Sequence, residues 1–473
     1  LAISTYEAAP CRPEKYRFTM TINDRLVSTL RTWQRMPAGR LLELLQVSRP
    51  TLMRAVRAAG PAVISRGSAR RTAYAARRAL RGDMSPLPLY RIDEHGDAAE
   101  IARLHLTYPD GCALDFLEPF EWPMDADMED GWFDGIPYPL QDLRPQGFIG
   151  RQFARQHAPL LAVGDDPTRW SDDDALYALS LLGADQSGNC ILGEAAFRLW
   201  QSRQDHEPEL IGDDTLVSAY AQLAQRAMTA GDAGSSAGGE FPKFTAVRRL
   251  DGAPVHVIVK FSGSDDSPIT QRWSDLLVCE HLASTVIPVH LGLAAARSTI
   301  HRAGNRTCLE VVRFDRHGLL GRSALCSWSA LSGAMFGLAG RPWTEAASQL
   351  LVLGFVDPQT HDEIARLWHF GRLTGNTDMH EGNLSFVPGL KLSPTYDVLP
   401  MLYAPVRGVE LPEKHFAPPR PLPSEREAWQ QAAQAAIVFW QAAADDTRIS
   451  ADFRRICDDN GAIVRRLADS GRR

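Results

Sequence analysis

No apolar run in this chain approaches the length needed to cross a bilayer, so contact with a membrane is not expected. The opening residues, Leu1-Ala2-Ile3-Ser4-Thr5-Tyr6-Glu7, lack a basic segment followed by an apolar one, and no secretory leader is expected. Cysteine is sparse and scattered: Cys11, Cys112, Cys190, Cys279, Cys308, Cys326 and Cys457. None stands in a C-x-x-C pair and the count is odd. That argues against a disulfide framework or a zinc site and for a reducing, cytoplasmic setting. No internal repeat, no Walker sequence ending G-K-[ST] and no D-F-G triplet is present. The 473 residues are 44% hydrophobic and 23% charged, ordinary for a globular chain of two to four domains.

The net charge of -6 conceals an asymmetry. From Leu1 to Gly82 there are 16 Lys and Arg against 4 Asp and Glu, a balance of +12, which leaves -18 for the remainder. A basic head on an acidic body suggests one segment that meets polyanions. Within the head, residues 25–60 read as three helices. Leu26, Leu30 and Trp33 form the apolar stripe of the first, and Pro37 opens the second at the position where a missing N–H costs least. The third runs from Arg49 to Ala59, capped by Ser48 and stopped by Gly60. Val63 to Tyr74 then reads as a hairpin turning at Gly67. This is similar to a winged helix-turn-helix. By that likeness Arg49, Thr51 and Arg54 face the major groove of DNA, and Arg66, Arg70 and Arg71 of the wing lie on phosphates. A small helical bundle with solvated arginines is the plainer reading, but the cap, the spacing and the charge balance favour DNA.

Residues 83–225 alternate short strands and helices without clear chemistry. Pro86–Ile92 and Ala102–Tyr108 suggest a meander turning at Pro109-Asp110-Gly111, and Ser171 caps a helix whose first turn is acidic. The run Met124-Asp125-Ala126-Asp127-Met128-Glu129-Asp130 lacks the Gly and terminal Glu of a calcium loop and reads as an acidic surface turn.

Chemistry enters at a glycine-rich stretch, Gly231 to Gly239, with Ser235, Ser236, Gly238 and Gly239, followed by Pro242-Lys243. Standing alone it is a linker. It does not stand alone, because Pro254–Phe261 is a β-branched strand carrying one lysine, Lys260. A lysine midway along an apolar strand needs an anion or a carboxylate partner, and Glu280 in the next helical stretch is the candidate. Thr307–Arg316 reads as a strand entering a linker. Next come Asp378 and Asn383 in the D-x-x-x-x-N spacing of a kinase catalytic loop, and finally Asp397 in Tyr396-Asp397-Val398-Leu399-Pro400. Five parts in kinase order are far more specific than any one. Residues from about 424 onward carry helical periodicity (Trp429, Ala433, Ala436, Ile437, Trp440; then Phe453, Ile456, Ile463, Val464, Leu467), after an exposed Pro-rich loop from Leu411 to Pro423.

These residues resemble the HipA family of serine/threonine kinases, the toxin half of bacterial persistence systems. The likeness spans about residues 230–440 and rests on Ser235-Ser236-Ala237-Gly238-Gly239, Lys260, Arg313-Phe314-Asp315-Arg316, Asp378-x-His380-x-x-Asn383 and Tyr396-Asp397. A helix-turn-helix fused to the N-terminus sets it in the YjjJ-like branch, whereas typical members rely on a separate antitoxin for DNA. The resemblance implies a multidomain α/β (α+β) chain: a winged head over 1–82, a family N-terminal region over 83–225, a kinase-like N-lobe over 226–316 and a mostly helical C-lobe over 317–473. It implies ATP and Mg2+ as cofactors and a protein substrate of unknown identity. Asp378 would be the general base and His380 its support. Asn383 and Asp397 would hold magnesium. Lys260, Glu280, Gly238 and Gly239 would serve the phosphates, Val311, Val312, Arg313 and Phe314 the adenine, and Ser235 or Ser236 would accept an autophosphorylation. A homodimer follows if the operator is palindromic. Two other classes stay open: a DNA-binding regulator whose kinase fold only senses nucleotide, and a metal-dependent nuclease built on Asp378, His380 and Asp397.

Overall fold

The computed structural model describes residues 20–203, 210–230, 241–338, 340–406, 410–411 and 413–470. The first helices are α1 (Ile22–Thr32), α2 (Ala38–Leu45) and α3 (Arg49–Ala59). They pack on a three-stranded antiparallel sheet of β1 (Met36–Pro37), β3 (Ala73–Ala76) and β2 (Val63–Arg66), in that order. Leu26, Leu30, Leu41, Leu45, Leu52, Ala55 and Tyr74 make its core. A Thr21–Asp24 capping box starts α1, a signal the sequence reading passed over.

Three local expectations are corrected. Trp33 is not part of the α1 stripe: it follows the last turn in extended backbone and is 56% exposed. Pro37 is the N-cap of α2 rather than its first residue, because it is also pairing in β1. Ser48 occupies the N-cap of α3 but makes no cap bond, since its Oγ lies 3.1 Å from Thr51 Oγ1 instead.

The expected meander follows, as β4 (Leu87–Ile92), β5 (Ala98–Thr107) and β6 (Gly111–Phe116). With β7 (Trp132–Phe133) and β8 (Cys190–Leu192) it forms a five-stranded antiparallel sheet ordered β7-β6-β5-β4-β8. Ser171 caps the Asp172–Leu182 helix through a capping box with Asp174. The apolar core of this sheet continues without a break into the helical C-terminal part, joining Leu89, Leu104 and Leu179 to Leu277, Trp328, Phe370 and Phe439.

A second antiparallel sheet, β11 (Ser298–Ala303), β12 (Arg306–Val312), β10 (Ala253–Phe261) and β9 (Lys243–Leu250), supplies the upper wall of the main cleft. Strand periodicity divides β10 between two environments. Val257, Val259 and Phe261 pack under the Leu216–Ala230 helix with Tyr220 and Ala224, while Ile258 and Lys260 face the cleft. A buried ion pair fixes this outer layer: Arg248 Nε is 2.9 Å from Glu310 Oε2, which also accepts from the Tyr220 hydroxyl.

The lower wall is helical. The Pro358–Leu373 helix leads into the Asp378 loop and is backed by the Arg426–Asp445 helix, itself packed on Ala451–Ser470. Trp440 donates its indole N–H to the Leu373 carbonyl at 2.9 Å, closing the helix end just before that loop. The Pro-rich stretch after 411 is mostly exposed, as read, but Phe416 is buried. It packs edge-on to Trp440 at 5.6 Å and against Gly375, whose φ of +71° only glycine adopts easily. Among the described residues no helix is long and apolar enough to cross a membrane.

Candidate active site

Four elements bring one cluster together at the cleft floor. Lys260 arrives on β10 and Glu280 on the Pro268–Leu291 helix. Asp378 and Asn383 come on the loop after Leu373, and Asp397 on the turn after the short strands that follow it. Lys260 Nζ lies 2.7 and 2.9 Å from the two Glu280 oxygens and also donates to Asp397. The lysine that the sequence required to have a partner thus has two. Burial alone would push Lys260 down, but Asp397 and Glu280 hold it well above the usual lysine range. For Asp397 burial acts upward and is overcome by Lys260 and Lys243, so this carboxylate stays below its usual range. Glu280 goes the other way, raised by burial more than Lys260 lowers it, with Asp397 adding to the rise.

Asp378 and His380 stand exposed at the mouth of the cleft. The Asn383 side-chain amide donates to the Asp378 carbonyl at 2.8 Å, locking the two ends of the loop together. His380 Nδ1 accepts from the Gly382 amide at 3.0 Å and so caps the 381–383 turn that presents Asn383. Asp397 sits at φ +60°, a conformation non-glycine residues seldom take, which aims its carboxylate back at Lys260.

Oxygen donors of this kind suit magnesium, which binds through one or two protein ligands, waters and phosphates. Asp397 and the Asn383 carbonyl are the pair that fit it. Among the described residues no group of three His, Cys, Asp or Glu could hold a metal by itself. The cleft has a volume of about 1550 Å3, and Ile258, Ala296, Val311, Leu399 and Met401 give it an apolar pocket beside Lys260. That room and lining fit a purine nucleotide.

The adenine segment needs a correction in detail. Val311, Val312, Arg313 and Phe314 do line the cleft. The Arg313 side chain, however, is buried in an ionic cluster, 3.1 Å from Asp185 and 3.0 Å from Asp315. The backbone N–H groups of Val312 and Arg313 are committed to Arg297 and His256 carbonyls at 2.8 and 2.9 Å, so these two amides are not open to a ligand. Ser235, Ser236, Gly238 and Gly239 lie outside the described residues.

The head residues separate. Arg49 and Arg54 on α3 are exposed and Thr51 half-buried, with Arg54 3.3 Å from the Thr51 hydroxyl. Arg70 is exposed. Arg66 and Arg71 are not free for phosphates: Arg66 pairs with Asp115, and Arg71 lies 3.3 Å from Asp130. The acidic run around Asp127 is a partner surface for the head as well as a turn, because Arg35 pairs with Asp127.

Two positioning residues escaped the sequence reading. Asn376 is buried, accepts from the Asp378 amide at 3.0 Å and points its own amide at the Asp397 carbonyl, 3.5 Å away. An Asn two residues before a loop Asp is a recognisable Asx turn and was legible. Tyr396 donates its hydroxyl to the Gly382 carbonyl at 2.8 Å, meets Ser385 Oγ at 2.7 Å, and lays its ring 5.9 Å from that of Phe314. It ties the Asp397 turn to the Asn383 turn. Tyr396→Phe keeps the ring and removes that tie. Its expected result is a fall of about tenfold in turnover with a raised magnesium requirement and little change in thermal stability, measured as rate against metal concentration.

Comparison with known proteins places the chain. Residues 83–201 match the model of the YjjJ-like toxin middle domain, and residues 235–464 match the HipA-like C-terminal domain. Toxin YjjJ of Escherichia coli (strain K12) is 36% identical over 436 residues, covering 91% of this chain and 95% of that protein. Among solved structures, HipA of Shewanella oneidensis MR-1, from a complex of HipA, HipB and operator DNA, aligns at 15% identity and a TM-score of 0.47, over 81% of this chain and 95% of that one. The Helicobacter pylori proinflammatory kinase CtkA aligns at 14% and 0.35, over 48% of this chain and 90% of that one. On its identity to Toxin YjjJ along nearly the whole length of both proteins, the chain belongs to the family of YjjJ-like toxins, whose C-terminal part is HipA-like.

Proposed function

We propose that this chain is a toxin that acts as a Mg-ATP-dependent protein serine/threonine kinase and carries its own DNA-binding head. The observation that carries the reading is Lys260, held between Glu280 and Asp397 at the floor of the cleft whose mouth presents Asp378 beside Asn383. Magnesium, when bound, neutralises charge on the transferring phosphate. Lys260 is the group for the ATP phosphates, and Glu280 keeps it extended and charged. Asp378 receives the proton of an incoming hydroxyl and aligns the nucleophile, so catalysis here is positioning and electrostatics. Ser235 or Ser236 is the proposed internal acceptor. The head is read as a winged helix-turn-helix in which α3 meets the major groove through Arg49, Thr51 and Arg54.

The test is transfer of labelled γ-phosphate from Mg-ATP to the purified protein, beside Asp378→Asn. Label on Ser235 or Ser236, lost in the variant, is the expected result. Absence of label on wild type that still binds ATP, and whose intact mass shows no phosphate from expression, would favour a nucleotide-sensing regulator. The intact set Lys260, Asp378, Asn383 and Asp397 speaks against that reading. A nuclease on Asp378, His380 and Asp397 has no use for a Lys260–Glu280 pair, and DNA cleavage with magnesium but without ATP would be its mark.

A further inference from the structure

We propose that the acidic face of the middle sheet, Asp115, Asp127 and Asp130, stands in for nucleic-acid phosphates and holds the head's arginines until a duplex replaces it. The inference rests on the DNA-binding reading of the head. Arg66, Arg71 and Arg35 each engage one of these carboxylates. The wing turn itself is seated there: a Cβ on Gly67 would come within 3.0 Å of Asp130 Oδ2. Carboxylate and phosphate oxygens offer a guanidinium the same geometry and sign, so one can exchange for the other. The chain's charge division has the same sense, a basic head against an acidic body.

The contact is built to open. Around the wing its apolar part is small, Ile64, Ala73 and Ala75 of the head against Ala113 and Trp132; the firmer join is at the head's end, where Ala76 and Arg78 share backbone hydrogen bonds of 2.9 Å with Tyr108 and Leu106 and Leu80 enters the main core. Three polar atoms in the contact are buried with no partner among the described residues: the N–H donors Arg66 Nε and Trp132 Nε1, and His105 Nδ1, whose ring meets Asp115 through Nε2 at 2.8 Å. Unmet polar groups make a docked state costly to hold, and partly exposed ion pairs add little to it. Polar contacts of this size between parts of one chain are the kind that separate. Meanwhile α3 keeps Arg49, Arg54 and Arg57 outward. A duplex can therefore meet α3 first and then draw Arg66, Arg71 and Arg35 from their carboxylates. Arg35 and Asp127 also line the cleft that contains Lys260 and Asp378, so release of the head alters the rim of the catalytic cavity. By linkage, whatever fills that cavity then changes the head's affinity for DNA by the same factor.

The experiment measures anisotropy of a labelled mixed-sequence duplex with the full chain over a salt series. Wild type is compared with Asp115→Asn/Asp127→Asn/Asp130→Asn. The variant is expected to bind about tenfold tighter or more at low salt, with a log K against log salt slope steeper by roughly one to three, one for each arginine freed. Equal affinity and slope would overturn the mimicry and leave DNA binding standing. Binding by neither protein would sink the DNA reading and the proposal with it. Hydrogen exchange of unmodified protein is the second arm. Saturating duplex should speed exchange across residues 111–133, and unchanged exchange there while DNA is bound would also overturn the proposal.

Discussion

Lys260→Met should abolish phosphoryl transfer and at the same time lower stability by about 3–5 kcal/mol, because it strips the cation from a buried anionic pair. Glu280 is 6% exposed and its ion-pair partner is Lys260. Left facing Asp397, it must take up a proton or destabilise the fold. The double replacement Lys260→Met with Glu280→Gln separates the two effects. It should recover most of the lost melting temperature and none of the activity. Thermal melts beside the labelled-phosphate assay check both. A double variant as unstable as the single one would mean that Lys260 supports the sheet in some way other than balancing charge.

Asp397→Asn is expected to show the opposite division. Asparagine has the same shape and is among the few residues that accept a left-handed φ, so the turn at +60° survives. Lys260 keeps both of its Glu280 contacts. Stability should change by no more than about 1 kcal/mol. Turnover should fall roughly a thousandfold or more, about 4 kcal/mol of transition-state stabilisation, since the proposed magnesium site loses its anionic ligand. The sign of the pH effect follows. Lys260 holds the native Asp397 below its ordinary range, so its contribution to stability is complete above about pH 4 and fades as pH falls through the lowered native value. Denaturant titrations at acid pH should show that component in wild type and not in the variant.

Much of the site was legible because it lies in order along the chain. Lys260 on an apolar strand demanded a carboxylate, and the next helix supplied Glu280 at the cleft floor. The spacing of Asp378 and Asn383 forecast a loop whose ends now prove bonded to each other. What the sequence hid was long-range pairing. Nothing local says that Arg66 will find Asp115 or that Arg35 will find Asp127, since a charge on a loop reads as solvated until the fold turns another surface toward it. The burial of the Arg313 side chain was hidden for the same reason, its partner Asp185 being far away in sequence. Trp33 went astray through periodicity alone: an apolar residue one step past the last turn continues the pattern but not the helix.

The backing of the catalytic loop carries a consequence for how the protein is made. The carbonyl that ends the Pro358–Leu373 helix is held by Trp440, and Gly375 is packed by Phe416. Both are translated after Asp378 and Asp397. A nascent chain thus carries every charged group of the site before it carries the two aromatic rings that set their spacing. Competence for chemistry arrives late in synthesis, and a chain cut short between Asp397 and Phe416 would have the complete motif without the architecture that makes it act.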